Sequence, residues 1–332
     1  MGIGRLLSYT DAGAPQLQGT VGSLAAVLKA ALVDGYGSVA PLGWTLEYSA
    51  DDYKTCVFRS NSVTGIGAYF KIMDTGGAKY AAFTVSEGMS DIDTQIAPVF
   101  GSGRYGWLVN GYTANNTPWH IVGEDRGFWM IVVHFISLPQ FGYSTYIGEY
   151  IPAIPNAIAP LCVIIPPYRG DISAIISSYY YNEVWSPVSD AGNINTYLSR
   201  DYDGTILQKS FSSRTTPIGS SYYDRYGYGA TYGVAPTGFG GGIYNDRNGV
   251  SLIARQGAIV ESSYVYGYVP GLYDTYGYCS INSEPLAGFH DLRFIVDGNR
   301  TYVQFFGRHE NISYNNASRL LIAAGEGFRY DI

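Results

Sequence analysis

The chain has 332 residues, a formal net charge of −7 and a sequence pI near 5.1, an acidic balance that excludes the basic surface typical of nucleic-acid-binding proteins. Hydrophobic residues make up 46% of the chain, which is enough for a large core. Charged residues make up only 14%, against roughly 25% in an average soluble domain, and this favours a protein that packs against partners.

The first predicted element is an amphipathic helix in SLAAVLKAALVDGYG, which begins at residue 23. Its apolar stripe recurs at spacings of three and four residues: Val21, Leu24, Leu28 and Leu32. We expect Thr20 or Ser23 to cap the N-terminus and Gly35 to end the helix. We also expect the helix to cover a sheet face or edge, and the arm before it, residues 1–19, to reach onto a neighbouring subunit.

After the helix the hydrophobic period changes to two, which predicts short strands separated by turns. The predicted strands are WTLEYS from Trp44, YKTCVFRS from Tyr53, AYFKIMD from Ala68 and KYAAFTVSE from Lys79. Their close spacing favours an antiparallel meander over parallel units with crossover helices.

Two hairpins are predicted farther along the chain. PWHIVGEDRGFWMIVVHF predicts a hairpin with GEDRG as its turn, and we place its second strand centrally because it is apolar on both faces. RFIVDG and RTYVQFFGR predict the last hairpin, and ASRLLIAAGEGFRYDI predicts a strand or a short helix. The longest apolar run, FWMIVV, is far shorter than the ~20 residues that a membrane-spanning helix needs, so we expect no membrane insertion.

The composition changes near residue 140, because prolines cluster between residues 152 and 167 and 24 of the 32 tyrosines follow residue 140. We therefore predict a mainly β fold of two antiparallel β-rich lobes, sandwich- or barrel-like, with one short N-terminal amphipathic helix. The first lobe covers residues 1–165, with the arm and the helix, and the second, rich in tyrosine and glycine, covers residues 166–332.

Catalytic and metal-binding motifs are missing from the sequence. Asp91 and Asp93 in DIDT have the local spacing of a cation site, but the further oxygen ligands of a calcium loop do not follow. The histidines form no paired metal spacing: His120, His134, His290 and His309. No GxSxG turn occurs either. We expect no enzyme activity, no metal and no cofactor.

The cysteines are few and far apart in the sequence: Cys56, Cys162 and Cys279. They form no CxxC pair, and an odd number does not suit a disulfide framework. We expect reduced, unpaired thiols.

Tyrosine-rich tracts are the strongest anomaly and supply the candidate assembly or ligand surface. Its residues are Tyr222, Tyr223, Tyr226, Tyr228, Tyr232, Tyr264, Tyr266, Tyr268, Tyr273, Tyr276 and Tyr278. Such tyrosines suit a protein interface, because each gives a large contact area at low entropic cost. A sugar-binding face is the second interpretation, and half-buried strand faces, where tyrosine has a high β propensity, are the third.

Several phrases, spread in order along the chain, resemble a loosely defined family of tailed-bacteriophage virion proteins. The N-terminal stretch APQLQGTVGSLAAVLKAALVDGYGS resembles the start of that family. The residues that fit its pattern are Gly13, Ala14, Pro15, Leu17, Gly19, Gly22, Ser23, Leu24, Leu28, Leu32, Val33, Gly35, Tyr36 and Gly37. The later matches are SEGMSDIDT, PWHIVGEDRGFWMIV, YIGEYIPAIP with Glu149 in place of Asp, YLSRDY and VYGYVPGLYD.

The resemblance implies a structural component of a tailed phage particle, on the outer tail, baseplate or collar, that acts by subunit assembly. The alternatives are a capsid decoration protein and a receptor- or glycan-binding module of the virion, with a glycan hydrolase as a third. Expected partners are other virion proteins and copies of the chain itself, with a host-surface glycan as a candidate and no nucleic acid. The expected location is the virion, after assembly in the cytoplasm of the host bacterium.

Overall fold

The computed structural model describes residues 3–74, 80–100, 106–109, 117–136, 138–154, 157–165, 195–201, 203–207, 210–211, 243–245, 251–261, 264–276, 293–297, 300–308, 317–325 and 328–329. Within these ranges the chain is mainly β, with three antiparallel sheets and one N-terminal helix. This confirms the predicted fold class.

The N-terminal segment forms strand β1 (Arg5–Ser8) and helix α1 (Ser23–Lys29), which continues as a π-helical turn (Ala30–Asp34). Backbone N–H groups of residues 42–44 donate to the carbonyls of Ala31 and Leu32 in this turn, which satisfies acceptors at the helix end. The predicted cap is wrong: Gly22 is the N-cap, and no side chain caps the helix.

The predicted meander forms what we call the front sheet, in which consecutive strands pair in the order β2 to β6 and β7 pairs with β5. Its strands are β2 (Thr45–Ala50), β3 (Thr55–Arg59), β4 (Tyr69–Met73), β5 (Tyr80–Met89), β6 (Gln95–Pro98) and β7 (Gly106–Val109). The period-two alternation of the sequence therefore predicted β2 to β5 correctly, whereas β6 and β7 were not predicted.

The middle sheet has the order β1-β8-β9-β10-β12-β13-β14. Its remaining strands are β8 (Trp119–Glu124), β9 (Gly127–Ile136), β10 (Leu138–Glu149), β12 (Leu161–Ile165), β13 (Asn195–Leu198) and β14 (Ser210–Phe211), while β11 (Ile151–Pro152) pairs elsewhere. The predicted hairpin is confirmed, because Glu124 pairs with Gly127 across its turn. Strand β9 is also internal, between β8 and β10.

The back sheet has the order β15-β16-β17-β20-β19-β18, and β11 pairs with β17. Its strands are β15 (Ile243–Asn245), β16 (Ser251–Glu261), β17 (Tyr264–Tyr276), β18 (Arg293–Asp297), β19 (Arg300–Arg308) and β20 (Ala317–Ala324). Asp297 pairs with Arg300 in the predicted last hairpin, and the segment after it is a strand rather than a helix.

The middle sheet is buried on both faces, because alternate residues of β9 enter different cores. Phe128 and Met130 belong to a first core shared with α1 and the front sheet. Trp129 and Ile131 belong to a second core shared with the back sheet. Strands β13 and β14 belong to the same sheet as β8 to β10, so strand pairing crosses residue 165, where the sequence predicts a lobe boundary.

The N-terminal arm lies on its own chain. Strand β1 pairs with β8, and Leu7 and Leu17 are fully buried. Trp119 Nε1 donates to the Pro15 carbonyl over 3.0 Å, and Tyr36 donates its hydroxyl to Asp11 over 2.9 Å. The expectation that residues 1–19 reach a neighbouring subunit is therefore wrong for residues 3–19, because two buried leucines and a strand ladder anchor them here.

Candidate functional site: two polar joints between the sheets

A buried ion pair lies where the ends of β8 and β10 meet the segment after β20, a site that we call the Arg329 joint. Arg329 Nε donates to Glu124 Oε1, and its Nη2 donates to the Glu149 carbonyl oxygen over 3.0 Å. The Arg329 and Glu124 side chains are only 4% and 2% exposed. A charge pair with so little solvent keeps much of its electrostatic strength.

The joint also includes the front sheet, through the loop between β3 and β4. Glu149 Oε1 accepts a hydrogen bond from the Ile66 backbone N–H over 2.7 Å. Arg126 lies beside Glu124, with 3.4 Å between Arg126 Nε and Glu124 Oε1, and its Nη1 donates to the Thr64 carbonyl over 3.3 Å. The Arg329 joint therefore connects all three sheets.

Burial controls the protonation chemistry of the Arg329 joint. Desolvation raises the pKa of the Glu149 carboxyl above its ordinary value, although the Ile66 hydrogen bond and the two neighbouring guanidinium groups oppose the rise. Burial likewise raises the pKa of the Tyr146 phenol well above its usual range. The Tyr146 hydroxyl donates to the Glu149 carbonyl over 2.7 Å, so that carbonyl accepts from both Tyr146 and Arg329.

A second polar site, which we call the Arg200 joint, connects the same three sheets at another place. Arg200, just after β13, makes a bidentate ion pair with Glu87 of β5, with N–O distances of 2.7 and 2.8 Å. Tyr266 of β17 donates its hydroxyl to Asp201 over 3.0 Å. Bidentate pairing of this kind fixes orientation as well as distance.

The carboxylates of the Arg329 joint are enclosed, since Glu124 and Glu149 are 3% and 4% exposed. A glycosidase needs its two carboxyl groups on either side of a bound sugar. No sugar ring can reach these two side chains in this structure. The arrangement holds strands and loops together instead.

Asp91 and Asp93 form a turn within the described residues. Asp91 Oδ1 accepts from the backbone N–H groups of Asp93 and Thr94 at 2.9 and 2.8 Å, and Asp93 pairs with Lys71 at 2.8 Å. The backbone hydrogen bond from Asp93 is the main reason that the pKa of Asp91 is lowered. Among the described residues, no group of three or more His, Cys, Asp or Glu side chains could hold a metal ion.

His120 and the described cysteines are interior residues. His120 is buried and packs edge-on against Tyr9 with 5.5 Å between ring centroids. Cys56 and Cys162 are free and buried, and burial raises the pKa of Cys56 to about 11 and that of Cys162 farther. The side chain of His134, and all of His290, His309 and Cys279, lie outside the described residues.

The tyrosine tracts are described only in part. Tyr264, Tyr266, Tyr268, Tyr273 and Tyr276 all belong to β17, whereas Tyr222, Tyr223, Tyr226, Tyr228, Tyr232 and Tyr278 lie outside the described residues. Tyr268 is half-buried, and Tyr266 is 8% exposed with its hydroxyl bonded to Asp201. Tyr266 therefore belongs to the Arg200 joint and makes its hydrogen bond within this chain.

A comparison with protein-family models finds no match for this chain, and a comparison with curated proteins finds none either. Among the described residues, no helix has the length and apolar character needed to cross a membrane.

The phrases noted for their resemblance to phage virion proteins contact one another in this structure. Glu87 of SEGMSDIDT pairs with Arg200 of YLSRDY. Trp129 of PWHIVGEDRGFWMIV donates its indole N–H to the carbonyl of Pro270 in VYGYVPGLYD over 2.8 Å. The residue pairs in these two contacts are 113 and 141 positions apart in the sequence.

Sequence reasoning missed both joints. The available signal was a charged residue at the end of an otherwise apolar strand, as with Glu124 after WHIVG, in a chain that is only 14% charged. A buried charge needs a partner, so each such residue predicts a contact without identifying it.

Proposed function

We propose that the chain is a structural component of a tailed bacteriophage particle, on the outer tail, baseplate or collar, and that it acts by assembly with other virion proteins and with copies of itself. The proposal includes no catalytic role. It starts from the resemblance of six phrases to such proteins and from the low charge content of the chain.

One observation carries the proposal: in three of these phrases, described polar residues bind each other across the sheets. Glu87 and Arg200 pair across two sheets, and Tyr266 donates to Asp201 from the third. Residues that serve a substrate must meet solvent or a cavity. Residues that hold sheets together suit a protein whose task is to keep its shape inside an assembly.

Mass spectrometry of density-gradient-purified particles from the host of this phage tests the proposal. We expect the copy number of the chain per particle to stand in a fixed ratio to that of a known virion protein. We also expect immunogold labelling at the tail, baseplate or collar. Labelling over the whole head would indicate a capsid decoration protein. A chain that is absent from washed particles would contradict the proposal.

A tyrosine variant separates assembly from sugar binding. Tyr226→Ala with Tyr228→Ala should reduce incorporation into particles, because centrally buried interface aromatics each contribute about 2 kcal/mol or more. Tyr53→Ala is the matched control, since Tyr53 is a half-exposed tyrosine outside the tracts. Normal incorporation with reduced adsorption to host cells would instead favour the receptor- or glycan-binding alternative.

A further inference from the structure

The hydrophobic pattern of strand β1 does not specify how it should pair. Its sequence is RLLS, and its two adjacent leucines serve both faces of the middle sheet: Leu7 is fully buried in the first core, and Leu6 packs on the second. A slip by one residue would exchange the two leucines between the faces. Some other feature must therefore select the observed register, in which Arg5 pairs with Gly123.

We call the described residues Gly325, Phe328 and Arg329 the strap. Gly4 contacts the strap at Gly325 and Phe328. Gly4 N–H donates to the Gly325 carbonyl over 3.0 Å, and Gly325 N–H donates back over 2.6 Å. A Cβ atom added at Gly4 would lie 2.3 Å from Phe328 Cβ. Only a glycine fits under Phe328, so a slip that moved Ile3 or Arg5 to this position would cause a clash.

Arg329 fixes the strap on the middle sheet. Its planar guanidinium donates at the same time to the Glu124 side chain and to the Glu149 carbonyl, at the ends of β8 and β10. A rigid fork of donors satisfies both acceptors in one position only, whereas an apolar side chain would tolerate several. The strap is also tied to the back sheet, because Gly271 N–H donates to the Phe328 carbonyl over 2.6 Å.

The ion pair is poorly suited to supply net stability. Glu124 is 3% exposed, and its Oε2 accepts no hydrogen bond from the described residues. Removing such groups from water offsets much of their attraction, and apolar replacements of similar volume are often neutral or stabilising. We therefore expect the ion pair to contribute more to the position of the strap than to the free energy of unfolding.

We propose that the strap is a registration device: Arg329 fixes its position, and the strap admits only a glycine at residue 4, which sets the pairing of β1 with β8. The inference concerns the folding of this chain and does not depend on the proposed function.

Hydrogen exchange on the full chain tests the proposal, with Glu124→Met and Arg329→Met combined so that neither member of the ion pair is left without the other. We expect a melting midpoint that falls by no more than about 5 °C. We also expect amides of residues 4–9 to exchange about tenfold faster or more, while those of β9 keep their protection. The matched control is Glu87→Met with Arg200→Met, which removes the other joint and should leave exchange in β1 unchanged.

Gly4→Ala tests the second half of the device with the ion pair intact, and it should speed exchange in β1 in the same way. Unchanged protection of β1 in either variant would overturn the proposal. So would the loss of cooperative melting in the double methionine variant, because the pair would then supply stability instead of register.

Discussion

Gly148 of β10 pairs with Gly127, the first residue of β9. Its φ is +146°, and a Cβ atom there would lie 2.3 Å from Gly127 Cα and 2.6 Å from the Arg126 carbonyl oxygen. Both obstacles are backbone atoms, one in the turn before β9 and one at its first residue, so a side chain could be accommodated only by moving this backbone. This glycine permits the ends of β8, β9 and β10 to converge on the Arg329 joint.

We predict that Gly148→Ala lowers the free energy of unfolding by about 3 kcal/mol, the upper end of the range for strain from an added methylene in a packed site. Gly22→Ala is the matched control: Gly22 also has a positive φ, +85°, but a Cβ atom there would meet nothing within 4 Å. The control should cost only about 1 kcal/mol for its left-handed backbone. Urea unfolding of both variants measures the difference, and equal losses would contradict the close approach.

Glu149 makes stability depend on pH. Its folded-state pKa lies above the ordinary value of 4.5, mainly because of burial. A carboxyl with a raised folded pKa binds its proton more tightly in the native state, so its contribution is full below pH 4.5 and declines as pH rises through the folded pKa. Ionised Glu149 therefore costs stability at neutral pH.

We predict that Glu149→Gln is at least as stable as the wild type at pH 7, because its amide oxygen can still accept from Ile66 N–H and no buried charge forms. Its unfolding free energy should also fall less between pH 5 and pH 7, measured by urea titration at each pH. Glu149→Ala should instead lose about 1–3 kcal/mol, because the part-buried Ile66 N–H loses its acceptor. A glutamine variant as unstable as the alanine variant would show that the negative charge itself is needed.

At the scale of elements, helix α1 is part of the first core. Leu24, Val27 and Leu28 are fully buried, in the same cluster as Phe70 and Phe128 of the two facing sheets. The helix thus covers sheet faces, as the sequence led us to expect, and its apolar stripe explains why an almost entirely β chain carries it.

We predict that Leu28→Ala lowers the free energy of unfolding by about 2–5 kcal/mol, through lost burial and the remaining cavity. Val21→Ala, on the same predicted stripe, should change it by less than about 0.5 kcal/mol, because Val21 is 38% exposed. Chemical denaturation of the two variants checks this. Similar effects at both positions would mean that the helix lies on the surface.

Local elements could be predicted from the sequence because their signals are local. The stripe of α1, the alternation of β2 to β5 and the GEDRG turn each lie within one short window. The docking of the arm and both joints could not be predicted, because they depend on residues far apart. Glu124 and Arg329 are 205 positions apart, and no pattern in either neighbourhood identifies the other.

At the scale of the whole molecule, the middle sheet shares a core with the front sheet on one face and with the back sheet on the other. One face of β9 packs in a core with the front sheet and α1, and the other face packs in a core with the back sheet. Both joints connect all three sheets.

We predict that residues 1–165 do not fold alone, although the sequence suggests a lobe that ends there. The fragment keeps Val122, Trp129 and Tyr146 but loses Val269, Ile322 and Phe328, which pack in the same core. It also leaves Glu124 without Arg329, and breaking a buried pair by removing one partner typically costs about 3–5 kcal/mol.

The exposed apolar face of the fragment should bind a hydrophobic dye, and thermal unfolding should show no cooperative transition, in contrast to the full chain. Adding Glu124→Met to the fragment removes the lone charge but not the exposed face, so it should restore little. A fragment that melts cooperatively would instead establish two separable lobes, with the second core as an interface between domains.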